Sequence, residues 1–329
     1  MKRHLRMLSC FLGSSGLLLG ILTLSPQYAA AAQARTGTWG GTYTCTGTLA
    51  APGTLAGSYA DVVVNGACVV NAGSVDIHGN LIIAPGASLA AIFGQNDQTK
   101  TGNSDITVHG NIVVQQGASL MLGCYSLVVS LWGATQLLDL PDFPCVDDPN
   151  QNAPTLNTHD VVDGNVIAHD PLGVILHNSL VRGNVVERGG GAGLGCVPTG
   201  IFNQYFGLPE YSDYASNKIG GNLVVSGLNT CWFGVFRESV RGNMAVSNNV
   251  AGPDATEIAT NTVHGNLSCR DNSPAVELGD SDGQPNKVGG DATGECGFNV
   301  TLLNPPPSAG VTGVTPTPQP ASVPLHHHH

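Results

Sequence analysis

A short pattern recurs along the chain: apolar, any residue, Gly, Asn, apolar. It reads IHGNLII at 77–83, VHGNIVV at 108–114, VDGNVIA at 162–168 and VRGNVVE at 181–187. It returns as IGGNLVV at 219–225, VRGNMAV at 240–246 and VHGNLSC at 263–269, and a degenerate VGGDATG begins at Val288. The polar position falls at 80, 111, 165, 184, 222, 243, 266 and 291, in steps of 31, 54, 19, 38, 21, 23 and 25. Taking the 38 as twice 19, and the 54 as two or three units with a loop, gives a unit of about 19–25 residues. Self-similarity at that period means stacked units that bury a shared core. Each copy is β-branched and alternating, which makes it a strand. No helical period lies between copies, so crossover helices are excluded. What remains is an all-β solenoid with about 19–25 residues per coil, its strands pairing in parallel about 4.8 Å apart. The Gly-Asn pair is expected to supply the bend through unusual φ at Gly and a left-handed Asn. Stacked Asn side chains are expected to bond along the axis.

Composition agrees. Charged residues are 11% and aromatics 5%, beside 44 glycines and 20 prolines. That is too apolar for a disordered chain and too poor in helix formers for a coiled coil. The net charge of −11 argues against nucleic acid as a partner, because phosphate binding needs clustered Lys and Arg. Residues 1–34 read as a secretory signal: Lys2, Arg3 and Arg6, then an apolar run from Met7 to Leu24, then small residues around Ala29 to Ala34. The mature chain is then expected outside the cell, with no membrane span. Residues 304–325 are a Pro-rich tail with seven prolines, and His326–His329 read as part of a tag. The solenoid domain is 35–303, with about 36–60 capping one end. Without Cys10, eight cysteines remain, an even number that suits disulfides in an exported chain. Neighbour pairing gives Cys45–Cys68, Cys124–Cys145, Cys196–Cys231 and Cys269–Cys296. Cysteines one coil apart lie at about the Cα separation a disulfide needs.

With this repeat on about residues 60–300, the chain resembles right-handed parallel β-helix proteins of the pectin-lyase-like superfamily. Bactofilin-type polymers carry similar repeats, but they are cytoplasmic and lack disulfides. The superfamily resemblance implies a secreted, carbohydrate-active protein with its site on one lateral face. The motifs of polygalacturonase-type hydrolases are missing beyond Asp147-Asp148 in a Pro-rich loop. Pectate-lyase-like enzymes use an Arg or Lys base with Ca²⁺, and this chain has Arg and Asp residues but no quotable signature.

Three segments break the repeat: 133–160, with Asp139, Asp142, Asp147 and Asp148; 188–216; and 271–287, with Asp280 and Asp282. The second holds Phe202, Tyr205, Phe206, Tyr211 and Tyr214, rings of the kind on which sugars stack. Alignment on the Asn puts Asp163, Arg182, Arg241 and His264 in one column, with Gly220 between. His169, Arg188 and Arg270 form another. Asp160, His177, Glu187, Arg237 and Glu238 are neighbours. Arg and His beside carboxylates are what acid–base chemistry needs. His78 and His109 read as turn or surface residues, away from this cluster.

The first expectation is a polysaccharide lyase acting on a uronate polymer of pectate, alginate or hyaluronan type. Its catalytic set would come from Arg182, Arg188, Arg237, Arg241, His169, Glu187, Glu238, Asp160 and Asp163. Ca²⁺ is the one cofactor considered, and no metal ligands are assigned. The alternatives are a glycoside hydrolase, using Asp160 with Asp163 or Glu187 with Glu238, and a non-catalytic structural or adhesive rod. Convergence of the charged residues in one groove favours an enzyme; scatter around the rod favours a scaffold.

Overall fold

The computed structural model describes residues 41–303 apart from 96–102, 125–126, 132–133, 139–159, 254, 279–283 and 299. Alternation sets the fold. In the copy at 77–83, Ile77, Leu81 and Ile83 are buried while His78 and Ile82 stay partly exposed. Successive copies then stack like on like. Ile77, Val108, Val162, Val181, Ile219, Val240, Val263 and Val288 form one in-register column with almost no exposure. Each such side chain contributes roughly 1.5–3 kcal/mol on burial.

Three parallel sheets wrap the core. Sheet 1 has ten strands, from Gly57–Tyr59 to Val300–Leu302; sheet 2 has ten, from Thr42–Cys45 to Ala292–Gly294. In sheet 3 eight strands stack, from Gly53–Thr54 to Thr256–Ala259, and Asn103–Ser104 adds antiparallel to Ser88–Gln95. The molecule is a right-handed parallel β-helix, three-sided, with corners between sheets 1 and 2, 2 and 3, and 3 and 1.

The repeat's Gly-Asn lies at the first corner, where the expected ladder forms. Each Asn Oδ1 accepts the backbone N–H of the next Asn, from Asn80–Asn111 at 2.9 Å to Asn243–Asn266 at 2.8 Å. Most rungs add a side-chain bond from the next Nδ2. Asp61 begins the ladder, accepting from Asn80 at 2.7 Å, and Asp291 ends it. An acceptor-only side chain suffices at Asp61 because no Asn lies below it to receive a bond.

Four expectations need correction. First, the steps of 54 and 38 are single coils. Asn165 bonds Asn111 directly and Asn222 bonds Asn184, so the extra residues are insertions. The first insertion carries an antiparallel hairpin, Leu127–Leu131 with Ala134–Leu138, and the second a helix, Gly200–Phe206. Second, residues from 42 onward are not a cap: Thr42–Cys45, Gly53–Thr54 and Gly57–Tyr59 enter the three sheets as a full first coil. Third, the repeat's glycines do not serve positive φ. A Cβ on Gly183 would sit 2.4 Å from the Gly164 carbonyl oxygen, so Gly is needed for close approach of coil to coil. Left-handed residues turn the other two corners, among them Asp170, Asn248 and Asp271 after sheet 2, and Asn178, Ser216, Arg237 and Thr260 after sheet 3.

The fourth concerns disulfides. Cys45–Cys68 and Cys269–Cys296 form, with Cα atoms 6.5 and 5.2 Å apart, one near each end of the rod. Cys196 and Cys231 come together as hydrogen-bonded thiols and are not bridged. Cys196 belongs to the insertion, not to a coil, so the stacking that aligns the other pairs does not act on it. Cys145 lies outside the described residues, as do the 1–34 and 304–329 segments and Asp139, Asp142, Asp147, Asp148, Asp280 and Asp282.

Candidate functional site

The charged residues read from the sequence divide among all three corners. Asp163, Arg182 and Arg241 stand at the first, beside the Asn ladder. His169 and Arg188 pair in register at the exposed ends of sheet 2 strands, next to the second. Arg237 turns the third, where its Nε donates to Ser216 Oγ at 3.0 Å. A face three or four residues wide, roughly 10–13 Å, separates one corner from the next. The arginines do not converge.

Three of the acids are interior. Glu187 points into the core from sheet 2, where Ser212 Oγ and Tyr214 OH donate to its two oxygens at 2.7 and 2.6 Å. Burial pushes it up from the ordinary 4.5 to about 7, although the two hydroxyls pull it down. Asp160 and Glu238 belong to a second polar ladder at the third corner. Asp160 accepts the Ile106 N–H at 2.9 Å, Asn217 the Ser179 N–H, Glu238 the Asn217 amides, Asn261 the Glu238 N–H and Asn286 the Asn261 amides. Burial raises Asp160 and Glu238 to about 8 each. They hold backbone together where other coils use Asn. A third ladder, Asn249–Asn272–Glu295, runs up the second corner. Neither carboxylate pair considered for hydrolysis therefore flanks an open cleft: Asp160, Glu187 and Glu238 are all 1% exposed or less.

The aromatic insertion lies over sheet 3. Outward residues Val69, Ala90, Met121 and Ile175 form one apolar column across four coils. Ile201 and Phe202 of the helix cover it, and Tyr211 packs alongside. Glu210 fixes this cover: it is buried, raised to about 7, and accepts from Ser119 Oγ and the Ile201 N–H. Phe202 is thus core, and so is Tyr214, inside the solenoid. Tyr205 and Phe206 end the helix. Of Phe202, Tyr211 and Tyr214, Tyr211 alone keeps partial exposure.

Beyond the helix the same outward column changes character, to Asp213, Gly234, Glu257 and, by a bridge, Glu277. His177 Nε2 meets Asp213 Oδ2 at 2.8 Å. Tyr211 meets Trp232 edge to face and Trp232 stacks on Phe236, with centroids 5.5 and 5.8 Å apart. Gly234 makes room for it, since a Cβ there would fall 2.3 Å from both Trp232 and Phe236. Rings, a histidine and carboxylates gather here on the outward side of sheet 3, with Tyr211 and Trp232 half-buried and His177, Asp213, Phe236 and Glu257 buried. Of its members the sequence reading named only Tyr211 and His177. A signal was present: GVILHNS, SDYASN, FGVFRE and TEIATN, at 173–179, 212–217, 233–238 and 256–261, align on their last polar residue.

Comparison with protein-family models, with curated proteins and with solved structures finds no match in any of the three.

Proposed function

We propose that this chain is an exported β-helix rod that binds a glycan on the outer face of sheet 3 and does no chemistry on it. The observation that carries this reading is the division of the catalytic candidates among three corners and the core. Two formed disulfides support an oxidising compartment outside the cell. Among the described residues no helix is long and apolar enough to cross a membrane. The half-buried Trp232 and Tyr211 offer ring surface above the buried Asp213 and Glu257, which suits stacking of a neutral sugar ring. The acidic net charge disfavours a uronate polymer as the ligand.

The test is native electrophoresis through gels cast with neutral and acidic polysaccharides. The parent should be retarded by a neutral glycan, and Trp232→Ala should run as in a blank gel. Equal retardation of parent and Trp232→Ala would remove sheet 3 as the binding face. A hydrolytic reading rests on the same face: Asp213 and Glu257 are two strand spacings apart, roughly 10 Å between Cα atoms. Both side chains are buried, so this reading needs the face to open before a substrate could reach them.

A further inference from the structure

At the first corner, near the start of the rod, His78 and His109 occupy the same position in consecutive coils. Their rings stack with centroids 5.3 Å apart. Asp76, outward from sheet 1, faces both: His78 Nε2 lies 3.2 Å from its Oδ2 and His109 Nε2 3.1 Å from its Oδ1. One donor atom from each residue falls within 4.8 Å of the others. The next coil supplies Asp163, whose Oδ2 is 2.7 Å from His109 Nδ1, and Arg182 holds the other oxygen of Asp163 at 2.8 Å. His109 therefore belongs to the charged column at 163 and 182, contrary to the sequence reading that set it apart.

We propose that Asp76, His78 and His109 form a binding site for a divalent transition-metal ion of the zinc class. The argument is geometric. A neutral imidazole carries one proton. With Nδ1–H donating to Asp163, Nε2 of His109 presents a lone pair toward a carboxylate oxygen, a gap that a second proton or a metal ion fills. Ligand atoms around a tetrahedral zinc, with bonds of about 2.0–2.1 Å, sit about 3.3 Å apart, a span that one donor atom from each of these residues, all within 4.8 Å, reaches with a small contraction. A carboxylate that fixes the remote nitrogen of a ligating histidine is the usual outer support of such sites. Two imidazoles with one carboxylate select zinc-class ions over Ca²⁺, which wants oxygen ligands throughout. Three protein ligands leave a fourth position for water or for a donor from another molecule. All three side chains are at least 31% exposed, although His78 Nε2 itself is enclosed and is reached by a turn of the ring.

The test is calorimetric titration of the full chain with Zn²⁺, run in parallel on the parent and on His78→Gln, His109→Gln and Asp163→Asn. His326–His329 also bind metal, but all four proteins share that run, so the comparison isolates the corner. The parent should show one site beyond the terminal run. His78→Gln and His109→Gln should abolish it, and Asp163→Asn should weaken it about 10–100-fold, as loss of an outer partner does. Ca²⁺ should not displace Zn²⁺. Identical titrations for parent and variants would overturn the site. Nitrogen-resolved NMR gives a second readout: His109 Nε2 should be unprotonated and shift on adding Zn²⁺. An imidazolium protonated on both nitrogens and indifferent to Zn²⁺ would mean a plain ion pair and would also overturn it.

Discussion

Glu187 shows what the interior does to an acid. It is fully enclosed, it accepts from two hydroxyls, and its affinity for a proton rises to about 7 from an ordinary 4.5. Glu210 behaves likewise, and Asp160 and Glu238 rise further, to about 8. Each of these groups binds its proton more tightly folded than unfolded. Between the two values the native state holds more protons than the unfolded state, so stability falls as pH rises. The contribution is complete below the unfolded values, near 4, and is lost as pH passes through 7 to 8. Denaturant midpoints should therefore be higher at about pH 5 than at about pH 8. Glu187→Gln keeps a neutral acceptor for Ser212 and Tyr214 and should flatten the part of that slope below pH 7. A midpoint that rises with pH would show these acids to be ionised and paired.

At the scale of the coil, the corners carry the specificity. Gly183 is boxed in by the Gly164 carbonyl and Asn165 Oδ1. Gly183→Ala forces those coils apart and should cost about 1–3 kcal/mol, the usual cost of overpacking, read as a lowered midpoint. Asn184→Ala orphans the Asn222 N–H and should cost about 1–3 kcal/mol. The disulfides act at the ends, where a coil has a neighbour on one side only. Each closes a loop of 23 or 27 residues, worth about 3 kcal/mol. Reductant should lower the melting temperature of the parent, and an unchanged melt would deny them that role.

Much of this level was legible in advance. The first-corner ladder and the sheet 1 and sheet 2 strands follow from the GN copies, because a strong local pattern repeats in every coil. The insertions were misjudged because 38 is divisible by 19, and arithmetic on spacing cannot tell a doubled coil from a looped one. The second and third ladders were missed because Asn, Ser, Asp and Glu serve the same position interchangeably there, which hides the repeat from inspection. The aromatics at 202 and 214 were read as ligand contacts because composition cannot distinguish a ring facing solvent from one capping a sheet. Trp232 and Phe236 became visible as a stack only once register placed Gly234 between them.

Over the whole molecule, nine stacking intervals of about 4.8 Å make a rod roughly 43 Å long in sheets 1 and 2. Its three faces differ. Only sheet 3 is buried on both sides along Gly173–His177, Ser212–Ala215, Phe233–Phe236 and Thr256–Ala259. That sidedness sets one face apart, partly covered by the insertion and leaving Tyr211 and Trp232 half-buried, while all three corners carry scattered charge. The account holds that the contact is binding and not bond cleavage. The most direct test incubates the full chain with neutral and uronate polysaccharides, with and without Ca²⁺, and assays new reducing ends, which hydrolysis and β-elimination both create. The account predicts no increase over heat-inactivated protein. New chain ends that accumulate with time, and are lost in a variant at Asp213 or Glu257, would contradict it and make sheet 3 an active site.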